Sequence, residues 1–208
     1  TVRVKLDEFI IPNDDLIPLY FGQEQGLPVY THSMYHTGGN YMTDGANISG
    51  STDLVYDEAL TYNGMTPAQV DALMFEYYGV ETYYVLDDIA SYGIHHIDTW
   101  AKFLGEETVL VKEVWTSHDT YAALNQRAAL LASLPSSTGR NYDVHRVYCY
   151  STSSGPASYT NSLILNDHIY IPFFGNSTYD NGAIAAYQAA APGYIVTGYT
   201  NGGEWLSD

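Results

Sequence analysis

The stretch Gly93-Ile94-His95-His96-Ile97-Asp98-Thr99-Trp100 brings together side chains that can move protons and hold a cation. An imidazole trades a proton near neutral pH, and a carboxylate two residues on can grip a positively charged group through charge-assisted hydrogen bonds. If the stretch ends a β-strand, period-two alternation puts His96 and Asp98 on one face and His95 and Ile97 on the other. That arrangement suits a reaction centre for a cationic substrate. The same residues also fit a purely structural strand end, in which an aspartate tethers a histidine. A zinc site is the third reading, since His95, His96 and Asp98 are all zinc-type ligands. Alternation, however, sends His95 away from the other two, and His32, His36, His118, His145 and His168 fall at no ligand spacing, so no metal is expected.

The elements that must position these groups repeat. Thr52 to Tyr56 reads as a short strand. Thr66-Pro67 is a cap and first-turn signal for a helix with Val70, Leu73, Met74 and Tyr77 on one face, Gly79 as its stop, and a strand at 81–86 after it. A second unit has a strand at 108–114, Asp119 as cap, a helix carrying Leu124, Ala128, Leu131 and Leu134, and a strand at 143–150. The third has strands at 162–166 and 169–173, a cap at Asp180 or Asn181, an Ala-rich helix to Ala191, Pro192-Gly193 as the stop, and a strand at 194–199. Strand, helix, strand thus occurs three times, which makes this an α/β chain of repeated units whose strand ends can converge on one mouth.

Before the repeats, Val2, Val4 and Leu6 suggest a strand and Ile11-Pro12-Asn13-Asp14-Asp15 a loop, and 27–30 reads as extended. A domain rarely opens directly on a strand, so residues are expected ahead of Thr1. Gly38-Gly39 lets the backbone turn or approach a neighbour closely, and the strand after it can deliver Asp44 to a site. Ser151 to Gly155 reads as a polar loop inside one domain rather than a linker.

Bulk properties narrow the partners. With 208 residues and 46% hydrophobic content, the chain can build one sizeable core. Its formal charge of −17 repels nucleic acid and anionic membrane surfaces and draws cations toward any cleft. No apolar run reaches the roughly 20 residues of a membrane span. The single cysteine, Cys149, excludes an internal disulfide framework, and its apolar setting in Val147-Tyr148-Cys149-Tyr150 reads as a buried small hydrophobe. Few Lys and 21 Tyr, with much Asn, Ser, Thr and Gly, resemble the composition of secreted bacterial proteins, so a secreted or cell-surface location is expected. Calcium could sit in Asp-rich loops such as Asn13-Asp14-Asp15 or Asp87-Asp88, but no spaced ligand loop is present and these runs read as solvated faces.

Between the repeats, the junctions resemble those of the guanidino-group-modifying deiminases, the pentein family, and most closely the secreted bacterial peptidylarginine deiminase type. The matching residues are Gly38-Gly39-Asn40 with Asp44, His96-Ile97-Asp98 running into Trp100-Ala101-Lys102-Phe103, Pro156 to Asn161, Ile171 to Gly175, and Pro192-Gly193-Tyr194 leading to Gly202-Gly203. The resemblance implies a propeller of ββαβ modules, with residues 1–208 forming the inner portion of a single catalytic domain that is incomplete at both ends. It implies hydrolysis of a guanidinium to a urea group by a cysteine nucleophile. His96 would be the acid/base, Asp98 a guanidinium clamp, Asn161 a polar positioner, and Asp44 and Ile94 substrate contacts. The family nucleophile lies beyond the last Gly-Gly turn, whereas this sequence ends five residues after Gly203. A family motif with a further guanidinium-binding Asp is expected ahead of Thr1. The chain alone is therefore expected to be inactive, and the remainder of a nicked chain or a second copy is an expected partner. The expected substrate is an arginine-containing peptide or protein, or a small guanidino compound such as agmatine or free arginine. A catalytically silent surface or assembly protein of the same descent is the alternative.

Overall fold

The computed structural model describes residues 16–89 and 93–200. The expected strand at Val2 to Leu6, the loop and possible calcium site at 11–15, and Gly202-Gly203 lie outside the described residues.

Three successive units share one plan: an antiparallel strand pair, a helical crossover, and a third strand parallel to the second. In the first, β1 (Met42–Thr43) pairs antiparallel with β2 (Ile48–Thr52), and β2 pairs parallel with β3 (Thr82–Leu86) after the crossover. That crossover holds two helices, α2 (Leu54–Asn63) and α3 (Pro67–Tyr78). In the second unit, β4 (Ala101–Phe103) and β5 (Thr108–Glu113) are antiparallel, α4 (Tyr121–Leu131) crosses, and β6 (Asp143–Tyr148) runs parallel to β5. A short hairpin, β7 (Ser151–Thr152) and β8 (Gly155–Pro156), leads to the third, in which β9 (Leu163–Leu165), β10 (His168–Pro172), α5 (Ser177–Ala190) and β11 (Ile195–Tyr199) repeat the plan. A further helix, α1 (Ile17–Glu24), precedes them all. The mixed α/β repeat is thus present as three ββαβ units.

Local chemistry explains most boundaries. Thr66 and Gln69 close a capping box at the start of α3, Pro67 occupies its first turn, and Gly79 ends it at φ 68 in the left-handed region that a side chain would disfavour. Val70 and Met74 face the core as expected, but Tyr77 is exposed. In the centre of the second unit, residues 109–112 of β5 are all buried, because α4 covers one side and neighbouring units the other.

Several expectations shift. The strand expected at Thr52 to Tyr56 lies earlier, at 48–52, and the chain is already helical from Leu54. Val55 and Ala59, one turn apart, pack with Met34, Val70 and Met74 in a satellite core, and this burial outweighs the β preference of the local residues. At α4 the cap position belongs to Thr120, while Asp119 accepts from the Thr120 amide and lies against His118. At α5 the cap is Asn176, whose side chain accepts from Thr178, so the helix begins ahead of both Asp180 and Asn181. Residues 27–30 form no strand. Asp87 and Asp88 are not a free solvated run: they pair with Arg127 and His95.

Candidate active site

The stretch around His96 is a tight turn, not a strand end. His95 has a left-handed backbone with φ 60, and Ile97–Thr99 form a single 3-10 turn. Alternation therefore gives the wrong reason for the right pairing. His96 and Asp98 do face a common point, because the turn, rather than the pleat, folds them over Gly39. A Cβ built on Gly39 would stand 2.7 Å from His96 Nδ1 and 2.8 Å from Asp98 Oδ2. Only glycine lets the backbone come this close to both groups.

Beneath them Asn40, 0% exposed, joins the two motifs. Its Oδ1 accepts from the Thr52 amide at 2.9 Å and from the Ile97 amide at 3.1 Å. The single Thr52 hydroxyl proton is shared between that same oxygen, at 2.9 Å, and the His95 carbonyl, at 2.7 Å. The Thr99 hydroxyl donates to the His96 carbonyl at 2.7 Å. Thr37, just ahead of the glycines, donates its hydroxyl to the Glu58 carboxylate at 2.7 Å. The end of β2, the Gly-Gly turn and the His96 turn are thereby fixed to one another.

Lys102 ties in the third unit. Its ammonium donates to the Ser162 carbonyl at 2.7 Å, and burial lowers its pKa while the nearby Asp98 carboxylate opposes that shift. The loop that carries Asn161 is thus tethered next to Asp98, with Asn161 itself exposed. Asp44 does not join this group directly. It sits in the β1–β2 turn, where its Oδ1 accepts from the Ala46 and Ile48 amides at 2.9 and 3.0 Å. Its role as a substrate contact rests on the resemblance alone. Ile94 lines a cavity on the far side of the turn, together with Asp88, His95, Trp100, Lys112 and His118, and His96 and Asp98 are not among its walls.

Burial pushes the His96 pKa down to about 4, with repulsion from His95 adding to the shift and Asp88 opposing it. The ring is therefore neutral near pH 7 and able to accept a proton. Cys149 is fully buried, its thiol pushed up to about 11 by burial, so it is neither accessible nor ionised enough to attack a substrate. Among the described residues no group of three or more His, Cys, Asp or Glu is placed to hold a metal ion, and no helix is long and apolar enough to cross a membrane.

His36, set aside in the sequence as falling at no ligand spacing, has an unusual environment. It is 2% exposed, edge-on to the rings of Tyr41 and Tyr78, and its Nε2 has no hydrogen-bond partner among the described residues. Burial lowers its pKa to about 4, helped by repulsion from His32 and His96. As pH falls through 6.5 the unfolded chain takes up this proton, whereas the folded chain resists until about 4. Stability from this group is thus intact above 6.5 and lost across that window, by roughly 3 kcal/mol at about 1.4 kcal/mol per pKa unit. Urea midpoints measured between pH 7 and pH 4 should fall in the native chain and fall less in His36→Phe.

Comparison with known proteins agrees with this architecture. Residues 7–201 match the model of the Porphyromonas-type peptidyl-arginine deiminase family. The chain belongs to that family. Solved structures with the same fold include a C. jejuni agmatine deiminase with substrate bound, with TM-score 0.76 and 17% identity over 95% of this chain and 60% of that one. An Enterococcus faecalis agmatine deiminase gives TM-score 0.74 and 21% identity over 91% of this chain and 60% of that one. A Porphyromonas gingivalis protein described as an arginine deiminase gives 0.72 and 23% over 89% and 58%. The chain therefore spans less than two thirds of the length of these deiminases. Within this chain of the Porphyromonas-type family, the turns at Gly39 and His96 bring His96 and Asp98 together, while Asp44 and Ile94 lie apart from them.

Proposed function

We propose that this chain supplies the acid/base and cation-binding half of a hydrolytic deiminase that converts the guanidinium of peptidyl arginine to the urea group of citrulline. The observation that carries this reading is the convergence of His96 Nδ1 and Asp98 Oδ2 on one point above Gly39, inside a chain of the deiminase family. A planar cation beside Asp98 is held by charge-assisted hydrogen bonds. With Cys149 buried and protonated, the nucleophile is a cysteine outside these 208 residues. Neutral His96 takes the thiol proton as sulfur bonds to the guanidinium carbon. The imidazolium then gives that proton to the departing nitrogen, the C–N bond breaks, and ammonia leaves. Water next attacks the thiouronium carbon while His96 takes one of its protons. As the C–S bond breaks, His96 returns a proton to sulfur and the hydroxyl proton goes to solvent, leaving the urea product.

In this reading the three ββαβ units belong to a propeller whose further modules complete the site, Asn161 contacts the substrate, and Asp44 adds negative field, while the expected contact from Ile94 is dropped because that residue lines the cavity on the far side of the turn. The setting is a secreted or cell-surface bacterial protein. The similarity to agmatine deiminases favours a second reading, in which the substrate is a small guanidino compound. Citrulline release from an arginyl peptide, measured beside carbamoylputrescine release from agmatine, decides between the two when run on the full parent protein with Thr1 to Asp208 as control. Neither product from the parent would falsify the deiminase reading. Turnover by Thr1 to Asp208 alone would instead remove the external nucleophile.

A further inference from the structure

We propose that Asp88 and His95 form a positioning pair that locks the turn aiming His96 at its substrate, an inference that rests on the deiminase reading of the site. The two neighbouring imidazoles diverge. His96 turns toward Gly39 and Asp98, while His95 turns away and places its Nδ1 2.5 Å from Asp88 Oδ2. The divergence depends on a left-handed backbone at His95, φ 60, which disfavours any side chain bearing a Cβ and so needs an external hold.

Asp88 can supply that hold because it is itself fixed. It lies just beyond β3, where its amide donates to Asp53 Oδ1 at 3.1 Å and the Asp53 amide donates to the Leu86 carbonyl at 2.9 Å. Next to it, the Asp87 carbonyl accepts from Arg127 Nε at 2.9 Å and the Asp87 carboxylate from Arg127 at 3.0 Å. From the opposite side, Thr52 holds the His95 carbonyl and Asn40 holds the Ile97 amide. The peptide before His96 is therefore pinned from β2 and the one after it from the Gly38–Asn40 turn, and the side chain before it is pinned from the end of β3. What remains free is the His96 side chain itself, already 91% shielded by its surroundings.

A reacting imidazole displaced by about an ångström loses on the order of a hundredfold in rate, so a partly loosened turn should cost about tenfold in kcat. In the parent enzyme Asp88→Ala and His95→Ala are each expected to lower kcat about tenfold with KM within about twofold, and the double variant to be no worse than either single. His95→Asn, which tolerates a positive φ and can still donate to Asp88, should recover most of the loss. A structural role alone would not give this non-additive, kcat-only pattern. Singles within about twofold of the native kcat, or losses that multiply in the double variant, overturn the proposal. If the parent shows no deiminase activity, the reaction assignment fails, and the positioning pair is read separately by NMR. The His96 ring signals should then move in both alanine variants and return in His95→Asn; unmoved signals overturn the pair. Where an alanine variant fails to fold, Asp88→Ser, too short to reach His95, and His95→Gly, which suits the positive φ but carries no ring, take its place in the same comparisons.

Discussion

On the proposed function, Asp98→Ala and His96→Ala are each expected to lower citrulline release by the parent protein by at least about a thousandfold. The losses have different physical origins. Without Asp98 the turn keeps its shape, since Asn40 and Thr52 hold it through backbone groups, but the carboxylate that neutralises the guanidinium is gone. Lys102, whose pKa Asp98 props up against burial, then lacks that opposing charge and repels a cationic substrate. Asp98→Ala should therefore raise KM as well as lower kcat. Without His96 the cation still binds, but no group carries protons between sulfur, nitrogen and water, so the loss should fall on kcat. Gly39→Ala should mimic both without touching either side chain, because its Cβ would stand within 3 Å of each polar atom. Steady-state kinetics of the three variants provide the check. Activity within about tenfold of native for Asp98→Ala or His96→Ala would sink the assignment of roles.

Where the local signal and the tertiary demand agreed, the chain could be read before its structure was known. Thr66-Pro67 and Gly79 bound a helix whether or not anything packs on it, since the cap, the fixed φ and the left-handed stop are all local devices. The strands at 108–113, 143–148 and 168–172 were likewise expected, within one or two residues, at 108–114, 143–150 and 169–173. Leu54–Asn63 was hidden because its residues suit either state, and only the contact of Val55 and Ala59 with Val70 and Met74 decides for helix. The site was legible as a set of residue types, but not as geometry. A positive φ on a histidine has no sequence signature, so nothing local showed that His95 would swing to Asp88 and free His96 to meet Asp98 over Gly39. Asn40 appeared only as a motif letter; its work as an acceptor for two separate turns depends on partners 12 and 57 residues away.

Asp180 illustrates the same limit and gives the largest stability effect expected in this fold. It reads as a helix cap in the sequence, yet it lies inside the first turn of α5 and is 4% exposed. Its Oδ1 accepts from the Tyr159 hydroxyl at 2.7 Å and from the Phe174 amide at 3.0 Å, and its Oδ2 from the Gly175 amide at 3.1 Å. Asp180→Ala would leave all three donors without their acceptor, two on the loop entering α5 and one on the fully buried Tyr159 ring. At about 1–3 kcal/mol for each buried group left unsatisfied, partly relieved by water, the expected loss is roughly 4 kcal/mol, a large share of the 5–15 kcal/mol that holds a typical domain together. In a domain of this size that corresponds to a fall in Tm of about 8–15 °C. Tyr159→Phe removes only one donor and leaves Asp180 its two amides, so it should cost about 1 kcal/mol. The ratio between the two variants separates loss of the carboxylate network from simple loss of packing, and equal losses would disprove the network. The effect should also reach the site. Tyr159 and Tyr187 brace the segment leading to Ser162, through Tyr187 Oη bonds of 2.9 Å to the Tyr159 carbonyl and to Ser162 Oγ, and the Ser162 carbonyl holds Lys102 beside Asp98. Loosening Asp180 therefore frees the segment that holds Lys102 beside Asp98 even in the fraction of molecules that stay folded, and, on the proposed function, Asp180→Ala should show a raised KM below its own melting range.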